Sequence, residues 1–246
     1  DFSGSDRDVV QYVFWGRDSL INAPCRTNLL TGTNKTYDDN RHDTVSEVWP
    51  PYNSGSTRLS SPAVDSRNPA DVRIYTGRSS NNTGDRLDKG RLIRLRPTDG
   101  TEEWTRNPDS TPDNDDDIDS SPTVDGSGDI YIGNDSALIS RYNSNGTRVW
   151  FNTLDSNIEG KPFVSEATGR VYVVTDNGTL YSLRRDTGAV VWTYDIGPTA
   201  GSFDYTSSPV AVYDSALAPG ENLIYVGSQD GSLYVVRDDG ASPALV

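Results

Sequence analysis

Cysteine is nearly missing from this chain of 246 residues: Cys25 stands alone, so neither an intramolecular disulfide nor a cysteine-built zinc site can form. A packed thiol is its expected role, and an intermolecular disulfide is the alternative. Methionine is absent, and His42 is the one histidine. A lone histidine supports no His–carboxylate–nucleophile grouping. Lysine is scarce as well: 3 of the 22 basic residues are lysine, against 36 acidic residues, 30 of them aspartate. The formal charge of −14 excludes the basic face that neutralises nucleic-acid phosphates. It also opposes docking on anionic membranes. No apolar run reaches the roughly 18–20 residues of a membrane-spanning helix, and no stretch carries a helical period. No Met opens the chain and no secretory h-region precedes its first residues, the pattern of a processed or partial chain.

What is present is turn chemistry and short β runs. Asp, Asn, Ser, Thr and Gly favour turns over helix interiors. Tyr 13, Trp 5 and Phe 5 supply large apolar side chains, so the chain is not a disordered one. High Asp with little Lys suits a salty habitat, and it equally suits an ordinary acidic secreted protein. Sequons at Asn34, Asn81, Asn134, Asn145 and Asn177 are glycosylation candidates. Their number is close to what this Asn, Ser and Thr content gives by chance.

The dominant signal is a repeat. Residues 120–150 read SSPTVDGSGDIYIGNDSALISRYNSNGTRVW, and residues 160–192 read GKPFVSEATGRVYVVTDNGTLYSLRRDTGAVVW. Residues 60–104 carry the same pattern with insertions (SSPAVD, VRIYTG, GRLIRLRPTDGTEEW), and residues 207–240 carry it again (SSPVAVYD, NLIYVGSQDGSLYVVRDDG). The marker prolines Pro62, Pro122, Pro162 and Pro209 lie 60, 40 and 47 residues apart. The marker tryptophans Trp49, Trp104, Trp150 and Trp192 lie 55, 46 and 42 apart. A period of about 40–50 residues with four short strands per unit is a propeller signature.

The predicted architecture is therefore all-β: one β-propeller domain over 1–246 with about five four-stranded blades, six being the alternative count. The units run at about 1–49, 60–104, 120–151, 160–193 and 207–246. In the third unit the strands are placed at 121–124, 129–133, 137–142 and 147–151. Trp104, Trp150 and Trp192 belong to outer strands and should wedge between blades. Asn177-Gly178 and Asp230-Gly231 should be the tight turns between second and third strands.

The run Ser-Ser-Pro, Ile-Tyr-Ile-Gly, Asp-Gly-Ser-Leu-Tyr, Thr-Gly and Trp resembles the pyrroloquinoline-quinone-type (PQQ-like) propeller repeat, over about residues 60–240. The resemblance is to its non-enzymatic branch, that of outer-membrane assembly propellers. Quinone enzymes of the wider group carry eight blades, a vicinal cysteine disulfide and an axial calcium. About five units and Cys25 alone do not match them, so no cofactor is expected.

The ends are irregular. VQYVFWG at 10–16, TNLLTG at 27–32 and VSEVW at 45–49 resemble second, third and fourth strands, while a first strand is missing. Residues 241–246 resemble a first strand, so the C-terminus is expected to complete the N-terminal blade. The last unit has no Trp after Gly240, so its outer edge is expected to be open, filled by residues 1–8 or by another subunit through strand addition.

Two groups of acids are candidate sites. Asp113, Asp115, Asp117 and Asp119 place alternate carboxylates where a hard cation such as Ca²⁺ would bind. Ile118 and Val124 break the helix–loop–helix calcium pattern, and the bland alternative is a solvated loop. Asp65 and Asp125 follow equivalent inner strands and are the candidate glycosidase pair. They recur with the repeat, which points to turn capping instead. The resulting expectation is a non-catalytic extracellular, cell-surface or periplasmic scaffold binding protein partners or itself, with neither nucleic-acid nor membrane-spanning character. A carbohydrate-binding propeller is the alternative, and a five-bladed glycoside hydrolase the second.

Overall fold

The computed structural model describes residues 60–78, 90–108, 117–197, 207–213, 221–228 and 230–246. These residues form sixteen strands in four antiparallel four-stranded sheets, each ordered as a simple meander. The first blade is β1 (Ala63–Asp65), β2 (Arg73–Arg78), β3 (Arg91–Leu95) and β4 (Glu102–Arg106). The second is β5 (Thr123–Val124), β6 (Ile130–Gly133), β7 (Leu138–Tyr142) and β8 (Arg148–Thr153). The third is β9 (Phe163–Ser165), β10 (Arg170–Val174), β11 (Thr179–Arg184) and β12 (Val190–Asp195). The fourth is β13 (Val210–Tyr213), β14 (Asn222–Gly227), β15 (Leu233–Asp238) and β16 (Pro243–Leu245). The four blades match the four units read from 60 onward, and no helix occurs among the described residues. The unit at 1–49, with Trp49, Cys25 and His42, lies outside them.

The repeat residues recur as repeat contacts. Each second strand supplies a tyrosine and each of the first three outer strands a tryptophan. They meet as Tyr75–Trp104, Tyr131–Trp150 and Tyr172–Trp192, with centroids 5.9, 6.0 and 6.1 Å apart. Each pair faces the following blade. Trp150 packs with Val171, Val173 and Leu183, and Trp192 with Ile224, Val226 and Val236. Trp104, half-buried, lies against Ile130, Ile132 and Tyr142. The second and third blades, each with two apolar faces, are thus covered on both by their neighbours.

The Thr-Gly marker has its own reason. Gly188 takes φ +72°, and a Cβ there would sit 2.5 Å from the Trp150 ring. Only glycine allows both the turn and the close approach. The Trp150 indole N–H then donates to the Arg185 carbonyl at 2.9 Å. The first serine of Ser-Ser-Pro also has a fixed task. The hydroxyls of Ser60, Ser120 and Ser207 accept from the backbone N–H of Gly77, Gly133 and Gly227, locking the incoming loop onto the second strand.

The C-terminal expectation is corrected. Residues 243–245 are the outer strand of the fourth blade, not a first strand of the N-terminal one. They pair antiparallel with β15 in the register Val236↔Leu245, Arg237↔Ala244 and Asp238↔Pro243. The turn decides it: Gly240 takes φ +90°, and Asp239 accepts from the N–H groups of Ala241 and Ser242. That folds the chain straight back on β15. The edge thought to be open is filled by this strand, despite its missing Trp.

Candidate functional site

At one end of the blades the incoming loops meet the hairpins between second and third strands. Asp117 and Asp119 lie on the loop into the second blade, and Asp135 on its β6–β7 hairpin. The Asp135 N–H donates to the Asp117 carbonyl at 3.1 Å. One carboxylate oxygen from each of Asp117, Asp119 and Asp135 lies within 4.8 Å of the others. Burial, with Asp119, Glu159, Asp117 and Asp176 close by, pushes the Asp135 carboxyl up to about 8. Its Oδ1 is buried without a hydrogen-bond partner. A cluster of this kind favours a proton or a hard cation held among oxygens.

Of the four acids read from the sequence, Asp117 and Asp119 enter this cluster, and Asp113 and Asp115 lie outside the described residues. Asp135 was missed because it is distant in sequence. The detectable signal was its place two residues past the end of the second strand, the same turn position as Asp176.

The other end of the blades is a lattice of caps and ion pairs. Asp125 accepts from the N–H groups of Ser127 and Asp129 and from the Tyr131 hydroxyl, and it lies 3.4 Å from Arg185 of the next blade. Asp65 is held below the usual carboxylate range by its hydrogen bonds with Arg67. Both candidate glycosidase acids are thus engaged as turn caps, as their recurrence suggested. Asp238, not singled out from sequence, accepts from the Tyr172 hydroxyl at 2.6 Å, the Trp192 indole N–H at 2.9 Å and the Gly240 N–H at 2.8 Å. It ties the third blade to the fourth. A hollow of about 300 Å³ here is lined by Arg141, Arg170, Arg184 and Arg185. Arg141 and Arg185 are already committed to Asp129 and Glu166.

Where the inner strands β5, β9 and β13 converge, a cavity of about 430 Å³ is lined by Val124, Lys161, Phe163, Glu166 and Val210 among others. Phe151, Tyr213 and Tyr225 are the exposed aromatics among the described residues. They stand at non-equivalent repeat positions, unlike the matched aromatic set of a repeat lectin.

The sequon at Asn134 requires correction. Asn134 is fully buried, and its side-chain oxygen accepts from the N–H groups of Ser136 and Leu138. It caps the β6–β7 turn and presents no amide to a glycan. Asn145 and Asn177 stand exposed at hairpin turns, and Asn34 and Asn81 lie outside the described residues.

Comparison with known proteins agrees with this architecture. The chain is 30% identical over 94 residues to the outer membrane protein assembly factor BamB of Yersinia pestis, a match covering 38% of this chain and 23% of that protein. The crystal structure of BamB from Moraxella catarrhalis superposes with TM-score 0.51 at 20% identity, over 70% of this chain and 45% of that one. Sqt1 of Saccharomyces cerevisiae superposes with TM-score 0.62 at 11% identity, over 84% of this chain and 52% of that one. At such identities the two structures show the fold alone. The chain spans about half the length of these solved structures and less than a quarter of the curated relative. A family model for PQQ-like repeats, described as outer membrane protein assembly factor BamB, matches residues 88–242, more than half of the chain, and the chain belongs to that family.

Proposed function

We propose that this chain is a non-catalytic scaffold of the cell envelope, periplasmic or surface-displayed, that holds protein partners. The observation carrying this reading is the use of the repeat acids. Asp65 and Asp125 are engaged in caps and ion pairs, so neither stands as a catalytic acid. Membership of a family described by an assembly factor gives the direction. A photocrosslinker at Asn177, on the loop-bearing end, tests it in the cells that make the chain. Protein adducts are the expected result. Glycan turnover without protein adducts would overturn the proposal.

The finer part of the proposal is self-association along β16. This edge has three residues, and Leu233 and Tyr234 of β15 have no β16 partner beside them. An unpaired edge accepts a strand from another chain. The Val246 N–H donates inward to Val235, so by alternation the Leu245 N–H points outward. Leu245→Pro removes that outward donor. If the edge pairs between copies, this variant lowers the native mass at high concentration to that of one chain.

We also propose that Asp117, Asp119 and Asp135 bind a divalent cation, Ca²⁺ being the one suited to an all-oxygen site. The unpartnered Oδ1 of Asp135 favours this over a plain solvated loop.

A further inference from the structure

The third blade carries an arginine pair without the counter-charges that the repeat supplies elsewhere. Arg170 on β10 stands directly opposite Arg184 on β11, where like charges repel across the sheet. In the first blade the equivalent residues are Arg73 and Arg96, one step along from the Ile74↔Leu95 pair. There Arg73 is held by Asp71, two residues before the second strand, and Arg96 by Glu103, directly before the marker Trp. The matching places in the third blade hold Thr168 and Val191, which carry no charge. Its arginines are left short of partners. Arg184 is exposed, and its guanidinium makes no hydrogen bond or ion pair among the described residues. Arg170 is mostly buried and donates one bond, from Nη2 to the Gly240 carbonyl at 2.8 Å, while its Nε has no hydrogen-bond partner. The carboxylate facing it, Asp238, lies 3.8 Å away and already accepts from Tyr172, Ser182, Trp192 and Gly240.

We propose that the hollow of about 300 Å³ over Arg170 and Arg184 binds a phosphoryl group, carried by a phosphate monoester or as free phosphate. Both guanidiniums line it, and Arg141 and Arg185 complete its wall. A carboxylate, with two oxygens, fills one guanidinium fork. A tetrahedral phosphoryl group has oxygens for two forks at once, which is what a pair of opposed arginines offers. Gly169 leaves the floor clear, with open space where a Cβ would stand. Asp186 is the one carboxylate in the lining. Asp129 and Glu166 are spent on Arg141 and Arg185, and Asp238 faces Arg170, so the charge of Arg184 is the one left for a ligand. In a chain of net charge −14 such a concentration of arginines is a local exception. The inference is independent of the scaffold proposal, since an anion site needs no protein partner.

The test is calorimetric titration of the purified full chain at low salt, free of divalent cations, with phenyl phosphate, inorganic phosphate and benzoate. The expected result is that phosphate binds at one site per chain and benzoate does not. Arg184→Gln should weaken that binding about tenfold or more, through loss of a charge-assisted fork. Arg96→Gln, at the equivalent place in the first blade, should leave it unchanged. Tighter binding of phenyl phosphate identifies a monoester as the ligand, and binding no tighter than that of the inorganic ion identifies free phosphate. Benzoate bound as tightly as phosphate would overturn the proposal in favour of unselective charge attraction. Phosphate binding that Arg184→Gln leaves intact, or no phosphate binding at millimolar concentration, would overturn it outright. Thermal melts without phosphate give an independent reading. Arg184→Gln relieves a like-charge pair and should melt no lower than the unaltered chain, whereas a lower melting temperature would show Arg184 paired within the fold and contradict the site.

Discussion

Two single residues carry sharp energetic consequences. Asp135 is the first. Its carboxyl is raised from an ordinary 3.8 to about 8, so between those pH values the folded chain holds a proton that the unfolded chain releases. Stability is therefore fullest below pH 4 for this group and is lost as pH rises toward 8. Without divalent cations, Asp135→Asn should stabilise the fold at pH 8 by on the order of a few kcal/mol, raising the melting temperature and flattening its pH dependence. With Ca²⁺ added at pH 8 the unaltered chain should gain stability by mass action, and the Asn variant should not. Thermal melts at pH 5 and 8, with chelator and with Ca²⁺, check both. An unaltered chain whose melting ignores Ca²⁺ would reject the cation site. Ala137 is the second. It holds φ +60° at the turn position where Gly178 and Gly231 sit. The left-handed conformation costs a non-glycine residue about 1–2 kcal/mol, and glycine loses part of that advantage to chain entropy. Ala137→Gly should stabilise by about 0.5–1 kcal/mol in denaturant unfolding. The Asp117–Asp119 half of the cluster was legible as a carboxylate run. The Asp135 half was not, because bringing it to that loop is an act of the folded hairpin.

Individual strands were legible to within a residue or two where the turn chemistry was intact. The expected strands at 129–133 and 137–142 became Ile130–Gly133 and Leu138–Tyr142, bounded by Asp, Gly and Asn that no strand interior favours. The outer strand of the fourth blade was not legible, because it lacks the tryptophan that identified its counterparts. Its position is set by the Asp239–Gly240 turn rather than by an apolar marker. The tryptophans that are present differ in worth. Trp150 and Trp192 are buried and their indole N–H groups are bonded across to the next blade. Trp104 is half-buried with an unpartnered indole nitrogen. Trp150→Ala and Trp192→Ala should each cost about 3–5 kcal/mol, and Trp104→Ala clearly less. Equal losses at all three positions, measured by chemical denaturation, would contradict the difference in burial.

For the molecule as a whole, repetition made the fold readable and the function hard to read. Residues that recur, such as Asp65, Asp125 and the Ser-Ser-Pro serines, serve the blade, and a fold of this kind hosts many functions. What distinguishes this chain lies in its departures from the repeat: the acidic cluster, the arginine hollow of the third blade and the short β16 edge. The net charge of −14 adds an expectation at this scale. Salt screens repulsion among surface carboxylates, so the melting temperature should rise between low and molar salt, and a fall would place the repulsion elsewhere. The measurement bearing most directly on the scaffold proposal is the native mass of the particle recovered from the cells that make the chain. Scaffolding requires a mass above that of one copy of the protein, made up by other protein. A particle holding a single copy at every concentration, with no other protein bound, would contradict it.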